Sequence, residues 1–274
     1  MGNKVSSSYE RKDTIIDAID PVVKYIGVLT LGISTILFPS PVLAYILLVF
    51  LIWTAFKAEF GKSFVTFVVK FAVPILVMLV LIQGGFSPKN ETVLYDFGIM
   101  KLYKEGTVMA VKIVGTLLVF IGSFWITSKT TDTSRMVAAF ERVGITGYIG
   151  YLILATINVI PQMQSRMGVI KNAQNARGLE TEGSVMKRIK AFVPLIGPVI
   201  MSSLIDVQER GMTLELRGFT IKNTKKTRLT EAVETERDKK IKIAFVTYFI
   251  IVAAASAAIR FLGGWEYGRY YTGM

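Results

Sequence analysis

The sequence predicts an all-α integral membrane protein: a bundle of about five transmembrane helices joined to long amphipathic helices on the cytoplasmic side. Two observations support this fold class. Hydrophobic residues make up 52% of the 274 positions and the mean hydropathy is +0.49, which is more apolar than soluble domains usually are. Charged residues make up only 19% and fall between apolar runs that approach the length needed to cross a hydrocarbon core of about 30 Å.

Five apolar runs define the predicted spans. The first begins after Asp20, a residue type that caps helix N-termini, and Pro21, which suits the first helical position. No strand pattern, low-complexity tract or internal repeat is evident. The predicted spans are 22–38, 42–56, 64–82, 107–127 and 243–262.

The central region, 128–242, is amphipathic and strongly basic. It contains two apolar segments, 148–160 and 192–205, which are shorter than a usual span. Pro161 follows the first segment, and the second contains two prolines, so we interpret both as partly embedded or packed against the bundle. If both cross the bilayer, the spans number seven. With five spans, the chain divides into a four-span membrane bundle at 1–127, a cytoplasmic-side coupling domain at 128–242, and a final span with an external tail at 243–274.

Charge placement predicts the orientation. Lys and Arg concentrate before the first span, after the second and in the central region, so the positive-inside rule predicts a multi-pass membrane protein with a cytoplasmic N-terminus. The net charge of +12 fits an anionic lipid surface better than nucleic acid, because the basic residues flank spans. An interfacial aromatic belt is predicted after the last span. Its members are Trp265, Tyr267, Tyr270 and Tyr271.

Composition argues against chemistry by this chain itself. It has no Cys and no His, which excludes disulfides, Cys/His zinc sites and Ser-His-Asp triads. Gly61-Lys62-Ser63 looks like the end of a phosphate-binding loop, but Phe56 occupies a position that needs glycine, so we interpret the segment as an interfacial turn. We therefore expect no catalytic residue, cofactor or metal in this chain. No Asp or Glu lies in the middle of a span, which disfavours an ion-coupled carrier.

Two arginine-glycine motifs stand out in the central region. They read Ala176-Arg177-Gly178 and Leu216-Arg217-Gly218. Apolar residues at helical spacing accompany them and form a predicted packing or partner face: Met167, Ile170, Ile205, Met212 and Phe219. Glycine after such a stripe is typical of a helix C-cap, so each arginine is predicted at a helix tip. The helix dipole alone explains a cation there, and the alternative is a guanidinium that grips a partner carboxylate.

Several stretches resemble the transmembrane T component of energy-coupling factor (ECF) importers, the CbiQ/EcfT-like family. Asp20-Pro21 with Lys24 looks like that family's Asp-Pro-Arg-x-Lys motif at the head of the first span. The motif at 176–178 is similar to its first Ala-Arg-Gly motif, and 191–219 resembles its second coupling-helix region. Val22 replaces the family's arginine. Leu216 replaces an alanine and enlarges the contact surface beside the second arginine.

The resemblance implies a non-catalytic coupling subunit of an ATP-driven importer for vitamins or metal ions, in the plasma membrane of a prokaryote. Its expected partners are two ABC-type ATPases, which hold ATP and Mg²⁺, and one substrate-binding membrane protein, the S component. It implies that Arg177 and Arg217 each dock in one ATPase, while the amphipathic helices lie beneath the S component. Substrate choice then belongs to the S component.

Other functions remain open from the residues alone. A self-contained permease or channel would need a polar stripe through its spans, and a lipid-modifying enzyme would need a carboxylate or His cluster at the bilayer surface. The permease half of an ABC transporter would normally carry one coupling helix, whereas two arginine tips are predicted here.

Overall fold

A computed structural model describes residues 14–86, 92–96, 101–179, 184–219, 221 and 234–262. These residues form eight α-helices and one short hairpin, so the predicted all-helical membrane fold is confirmed. The helices are α1 Pro21–Leu37, α2 Val42–Lys57, α3 Gly61–Phe86, α4 Lys104–Lys129, α5 Thr133–Val143, α6 Gly147–Ala176, α7 Val185–Leu216 and α8 Glu236–Leu262, and the strands are β1 Val93–Asp96 and β2 Lys101–Tyr103.

The helix boundaries follow the predicted spans, with one correction. Helices α1, α2, α3, α4 and α8 cover the five predicted spans. The interpretation of Gly61-Lys62-Ser63 as a turn is wrong, because these residues form the first turn of α3. The chain turns just earlier, where Glu59 adopts a φ of 62°. Helical hydrogen bonding then resumes, as the N–H of Phe64 donates to the carbonyl of Phe60 at 2.9 Å.

The hairpin corrects the expectation that the chain has no strands. Strands β1 and β2 pair antiparallel between α3 and α4, with Val93 opposite Tyr103 and Asp96 opposite Lys101. Runs of four and three residues are too short for an alternating pattern to be recognised in a sequence. The carboxylate of Glu105, at the start of α4, accepts a hydrogen bond from the N–H of Thr92 at 3.2 Å, which joins the hairpin to that helix.

Six of the described helices are strongly apolar, which is the composition expected of helices in a membrane. By length and composition α3, α4, α7 and α8 are candidate spans, and α1 and α2 are shorter apolar helices. Helix α7 runs through Pro194 and Pro198, and α6 continues past Pro161 to Ala176, so Pro161 does not end a helix. Whether α6 and α7 cross the bilayer stays a prediction. The predicted aromatic belt, Trp265, Tyr267, Tyr270 and Tyr271, lies outside the described residues.

The chain folds as two compact units. Helices α6 and α7 form the first, within Gly144–Glu231, which we call the two-helix unit. Helices α1 to α5, the hairpin and α8 form the second, within Ser6–Val143 and Ala232–Met274, which we call the bundle unit. The predicted division into three segments stays a prediction, because compactness does not tell which segment lies on which side of a membrane.

The bundle unit has a close-packed apolar core built from α1 to α4. Phe64 is fully buried at its centre and its ring centroid lies 5.6 Å from that of Trp125. Two glycines let neighbouring helices approach α4, since a Cβ on Gly122 would lie 3.1 Å from the Phe64 ring and one on Gly115 would lie 3.0 Å from Ala44. Small residues at such crossings are typical of membrane helix packing.

Candidate functional site

The first arginine motif forms the predicted helix tip at the end of α6. Helix α6 ends at Ala176, and Arg177 is its C-cap residue. Gly178 follows with a φ of +90°, a left-handed conformation that favours glycine. Its N–H donates to the carbonyl of Asn175 at 2.9 Å, and the N–H of Leu179 donates to the carbonyl of Gln174 at 3.0 Å. This pair of hydrogen bonds is a Schellman motif, which ends the helix directly after the arginine.

The second motif repeats this geometry at the end of α7. Helix α7 ends at Leu216, Arg217 is the C-cap residue, and Gly218 has a φ of +71°. The N–H groups of Gly218 and Phe219 donate to the carbonyls two and three positions before the C-cap, each at 2.9 Å. The predicted C-caps are therefore confirmed at both ends, with each arginine one position beyond the last helical residue.

Both arginines of the two motifs are exposed. Arg177 and Arg217 are exposed, and in the described part of the chain neither guanidinium has a hydrogen-bond or ion-pair partner. Leu216, beside the second arginine, is 90% exposed. An exposed leucine next to an exposed guanidinium combines apolar contact area with a bidentate donor, a combination suited to binding a groove that contains a carboxylate.

Helices α6 and α7 run antiparallel and are joined by polar contacts near their middles. Arg166 on α6 forms a salt bridge with Asp206 on α7, and Arg210 donates to the side-chain carbonyl of Gln162 at 2.5 Å. Near the end of α7, the ring of Phe219 packs 5.0 Å from that of Tyr151 at the start of α6.

These contacts place the two tips symmetrically. Arg177 follows Arg166 by 11 residues, and Arg217 follows Asp206 by 11 residues. At 1.5 Å per residue each tip extends about 16 Å beyond the shared salt bridge. Because the helices are antiparallel, the tips lie at opposite ends of the two-helix unit.

The residues of the predicted apolar face differ in burial. Met167 and Ile170 on α6 are half-buried, and Phe219 is half-buried against Tyr151. Ile205 and Met212 on α7 remain 52% and 58% exposed. The α6 residues therefore pack within the chain, whereas the two α7 residues keep their apolar surface free for a lipid or protein contact.

The residues at the head of the first span form a buried polar cluster in the bundle unit. Asp20 caps α1 as predicted, since its Oδ1 accepts from the N–H of Val22 at 2.9 Å and Pro21 occupies the first turn. Its other carboxylate oxygen binds Arg142 of α5 at 2.7 Å, with only 2% of the Asp20 side chain exposed. Lys24 is buried and donates from Nζ to the carbonyl of Thr130 at 2.6 Å, where α4 ends.

Known proteins place the chain in a family. The model of the CbiQ family, described as cobalt transport protein, matches residues 12–227, a range that includes the head of the first span and both helix tips. The chain belongs to the CbiQ family.

Distant relatives match most of this CbiQ-family chain. Three are each named energy-coupling factor transporter transmembrane protein EcfT. The one from Brevibacillus brevis is 23% identical over 92% of this chain and 98% of its own length, and the one from Bacillus selenitireducens is 24% identical over 95% and 98%. The one from Streptococcus equi subsp. equi is 25% identical over 80% and 84%.

The family confirms three predictions made from the sequence. The resemblance to T components of ECF importers was correct. The chain is a multi-pass membrane protein, the transmembrane component of an ECF transporter. It is a non-catalytic subunit, because that is the character of the family. The roles of individual residues, the partner set and the orientation go beyond these findings.

The sequence did not predict the long-range partners of two residues, Arg166 in the two-helix unit and Asp20 at the head of the first span. Arg166 and Asp206 are separated by 40 residues, and Asp20 and Arg142 by 122. Asp238 of α8 also accepts a hydrogen bond from the N–H of Asp20 at 3.2 Å. A local signal existed for Asp238 alone, because Thr235 and Asp238 have capping-box spacing before a helix and the N–H of Thr235 donates to Asp238 at 3.0 Å.

Proposed function

We propose that this chain couples two ABC-type ATPases to one substrate-binding S component, as the transmembrane subunit of an ECF importer for a vitamin or a metal ion. ATP and Mg²⁺ would be held by the ATPases. The names of the relatives support the transporter class. The observation that carries the coupling role is the pair of exposed arginines, each just beyond the last residue of a long helix that is ended by a Schellman motif.

The two-helix unit has the properties of a pair of mechanical levers. Helices α6 and α7 contain 30 and 32 residues, so each is about 45 to 48 Å long. The Arg166–Asp206 salt bridge joins them near their middles, and a change in the separation of the tips would rotate one helix against the other. Two tips at opposite ends suit a partner that is itself a dimer, with one ATPase on each tip. The exposed apolar residues of α7, such as Met212, would contact the S component.

The basic residues of the bundle unit support one orientation. Lys57 ends α2, Lys62 is the second residue of α3 and Lys129 ends α4, so three cations lie at the same end of the bundle. The positive-inside rule assigns that end to the cytoplasm, where the ATPases are. We therefore propose a prokaryotic plasma-membrane protein with a cytoplasmic N-terminus.

The docking role is tested by removing each guanidinium. In Arg177→Ala and Arg217→Ala we expect association with the ATPases to weaken by about 2–5 kcal/mol per tip, because each change leaves a partner carboxylate buried and unpaired. The measurement is ATPase retention when the tagged chain is purified from detergent-solubilised membranes, together with coupled uptake. Lys104→Ala removes an exposed cation at the start of α4, the end of that helix opposite Lys129, and should retain both ATPases.

Two outcomes would contradict this function. The first is full retention of both ATPases and normal uptake in the double variant Arg177→Ala, Arg217→Ala. The second comes from labelling: because the chain has no Cys, Asn175→Cys introduces a single thiol beside the first tip. Labelling of that thiol by an impermeant reagent added outside intact cells would place the tip on the wrong side of the membrane.

A further inference from the structure

The bundle unit contains a cleft that the coupling role does not use. It has a volume of about 400 Å³ and is lined by α1, α2, α4, α8 and the segment before α1. This volume lies within the range of about 300–1,000 Å³ that is usual for small-molecule sites. The walls are mostly apolar and include Ile19, Val28, Leu31, Phe50, Ile241 and Phe245.

Three cations also line the cleft, all near helix ends. Lys24 lies in the first turn of α1, Lys57 is the last residue of α2, and Arg237 is the second residue of α8. Lys24 is already bound to the carbonyl of Thr130. Lys57 and Arg237 are exposed, and the Lys57 ammonium lies 5.9 Å from the ring centroid of Trp53. No Asp or Glu occurs among the described residues that line the cleft, so the lining itself carries only positive charge.

Three of the four hydroxyl groups that line the cleft already donate hydrogen bonds within the chain. The Oγ of Ser123 donates to the carbonyl of Phe120 at 2.9 Å, and the Oγ1 of Thr54 donates to the carbonyl of Leu51 at 2.8 Å. Thr130 donates in the same way to Ile126 at 2.9 Å. The cleft therefore offers apolar walls and cations, and most of its hydroxyl groups already donate within the chain.

We propose that this cleft is a binding site for an anionic phospholipid. The acyl chain lies against the apolar walls, and the phosphate is bound by Lys57 and Arg237. Basic pockets between membrane helices are suited to anionic headgroups, and the apolar lining distinguishes the occupant from a free anion, which would gain nothing from it. The proposal rests on the bundle unit alone and does not depend on the function of the helix tips.

Lipid retention by the purified full-length chain tests the proposal. Native mass spectrometry would count bound lipids during titration with phosphatidylglycerol or with phosphatidylcholine of the same acyl chains. We expect selective binding of phosphatidylglycerol. In Lys57→Ala with Arg237→Ala the affinity should fall by about 5-fold for each cation and about 30-fold for both.

A matched variant controls for general surface charge. Lys62→Ala with Lys240→Ala removes two exposed cations from near the starts of α3 and α8, neither of which lines the cleft. We expect its lipid affinity to stay unchanged. An equal loss in both double variants would overturn the proposal, because it would show attraction to a basic surface instead of a site.

A filling variant tests the apolar half of the site. Thr54→Phe adds a ring to a half-buried lining position and keeps all three cations, so we expect loss of bound phosphatidylglycerol with an unchanged melting temperature. Three further results would overturn the proposal. They are unchanged lipid binding in this variant, displacement of the lipid by soluble glycerol phosphate, or a protein helix cross-linked to Phe50→Cys in a complex that retains no lipid.

Discussion

The two units of this protein are stabilised by different interactions. In the bundle unit, fully buried Phe64 packs against Trp125, and close helix approaches are allowed by Gly115 and Gly122. In the two-helix unit, α6 and α7 are joined by a few polar contacts around Arg166, while large apolar side chains of α7 remain exposed. The first unit therefore has a buried apolar core, whereas among the described residues of the second only Ala191 and Leu195 are buried hydrophobics.

The largest expected effect concerns the core of the bundle unit. Phe64→Ala should lower the free energy of unfolding by about 3–5 kcal/mol, because it removes a fully buried ring and leaves a cavity. Thermal unfolding in detergent, followed by circular dichroism, measures the loss. The matched control is Phe124→Ala, which removes an exposed ring from α4 and should change stability little. Equal losses in the two variants would contradict the assignment of the core.

A smaller effect is expected at the contact that joins α6 to α7. Arg166→Ala or Asp206→Ala should cost about 1–2 kcal/mol, since the two side chains are only 33% and 23% exposed. Coupled uptake should fall further than ATPase retention, because the lever is loosened while both tips persist. The reversed pair Arg166→Asp with Asp206→Arg should restore uptake. Wild-type-like uptake in the single variants would show that the salt bridge does not act as a pivot, and so would a reversed pair that restores no uptake.

The smallest expected effects come from replacing either of two glycines of the two-helix unit by alanine. Gly218→Ala should destabilise by about 1 kcal/mol, because the residue has a φ of +71°. Gly211→Ala lies inside α7, where an added Cβ meets nothing within 4 Å, so it should stabilise by about 0.5–1 kcal/mol. Opposite shifts of the melting temperature test this pair. An unchanged or raised melting temperature in Gly218→Ala would contradict the Schellman geometry of the second tip.

Local features of the fold were predictable because they depend on neighbouring residues. The N-cap at Asp20 and the C-caps at Gly178 and Gly218 each involve hydrogen bonds that span at most five positions. The apolar runs likewise predicted helices directly. Two local predictions failed: the turn at Gly61-Lys62-Ser63, and the absence of strands. Both segments are only three or four residues long, and so short a segment carries too little sequence pattern to identify its secondary structure.

The sequence by itself determined an apolar helical chain with two arginine helix tips and clusters of basic residues beside its spans. Only the tertiary structure decided that Asp20 binds Arg142 and Asp238, that Arg166 binds Asp206, and that the cations at Lys57 and Arg237 line one apolar cleft. The physical reason is distance along the chain. A capping hydrogen bond forms between residues that the backbone already holds together, whereas a pair separated by 40 to 218 positions meets only when helix packing has placed both partners.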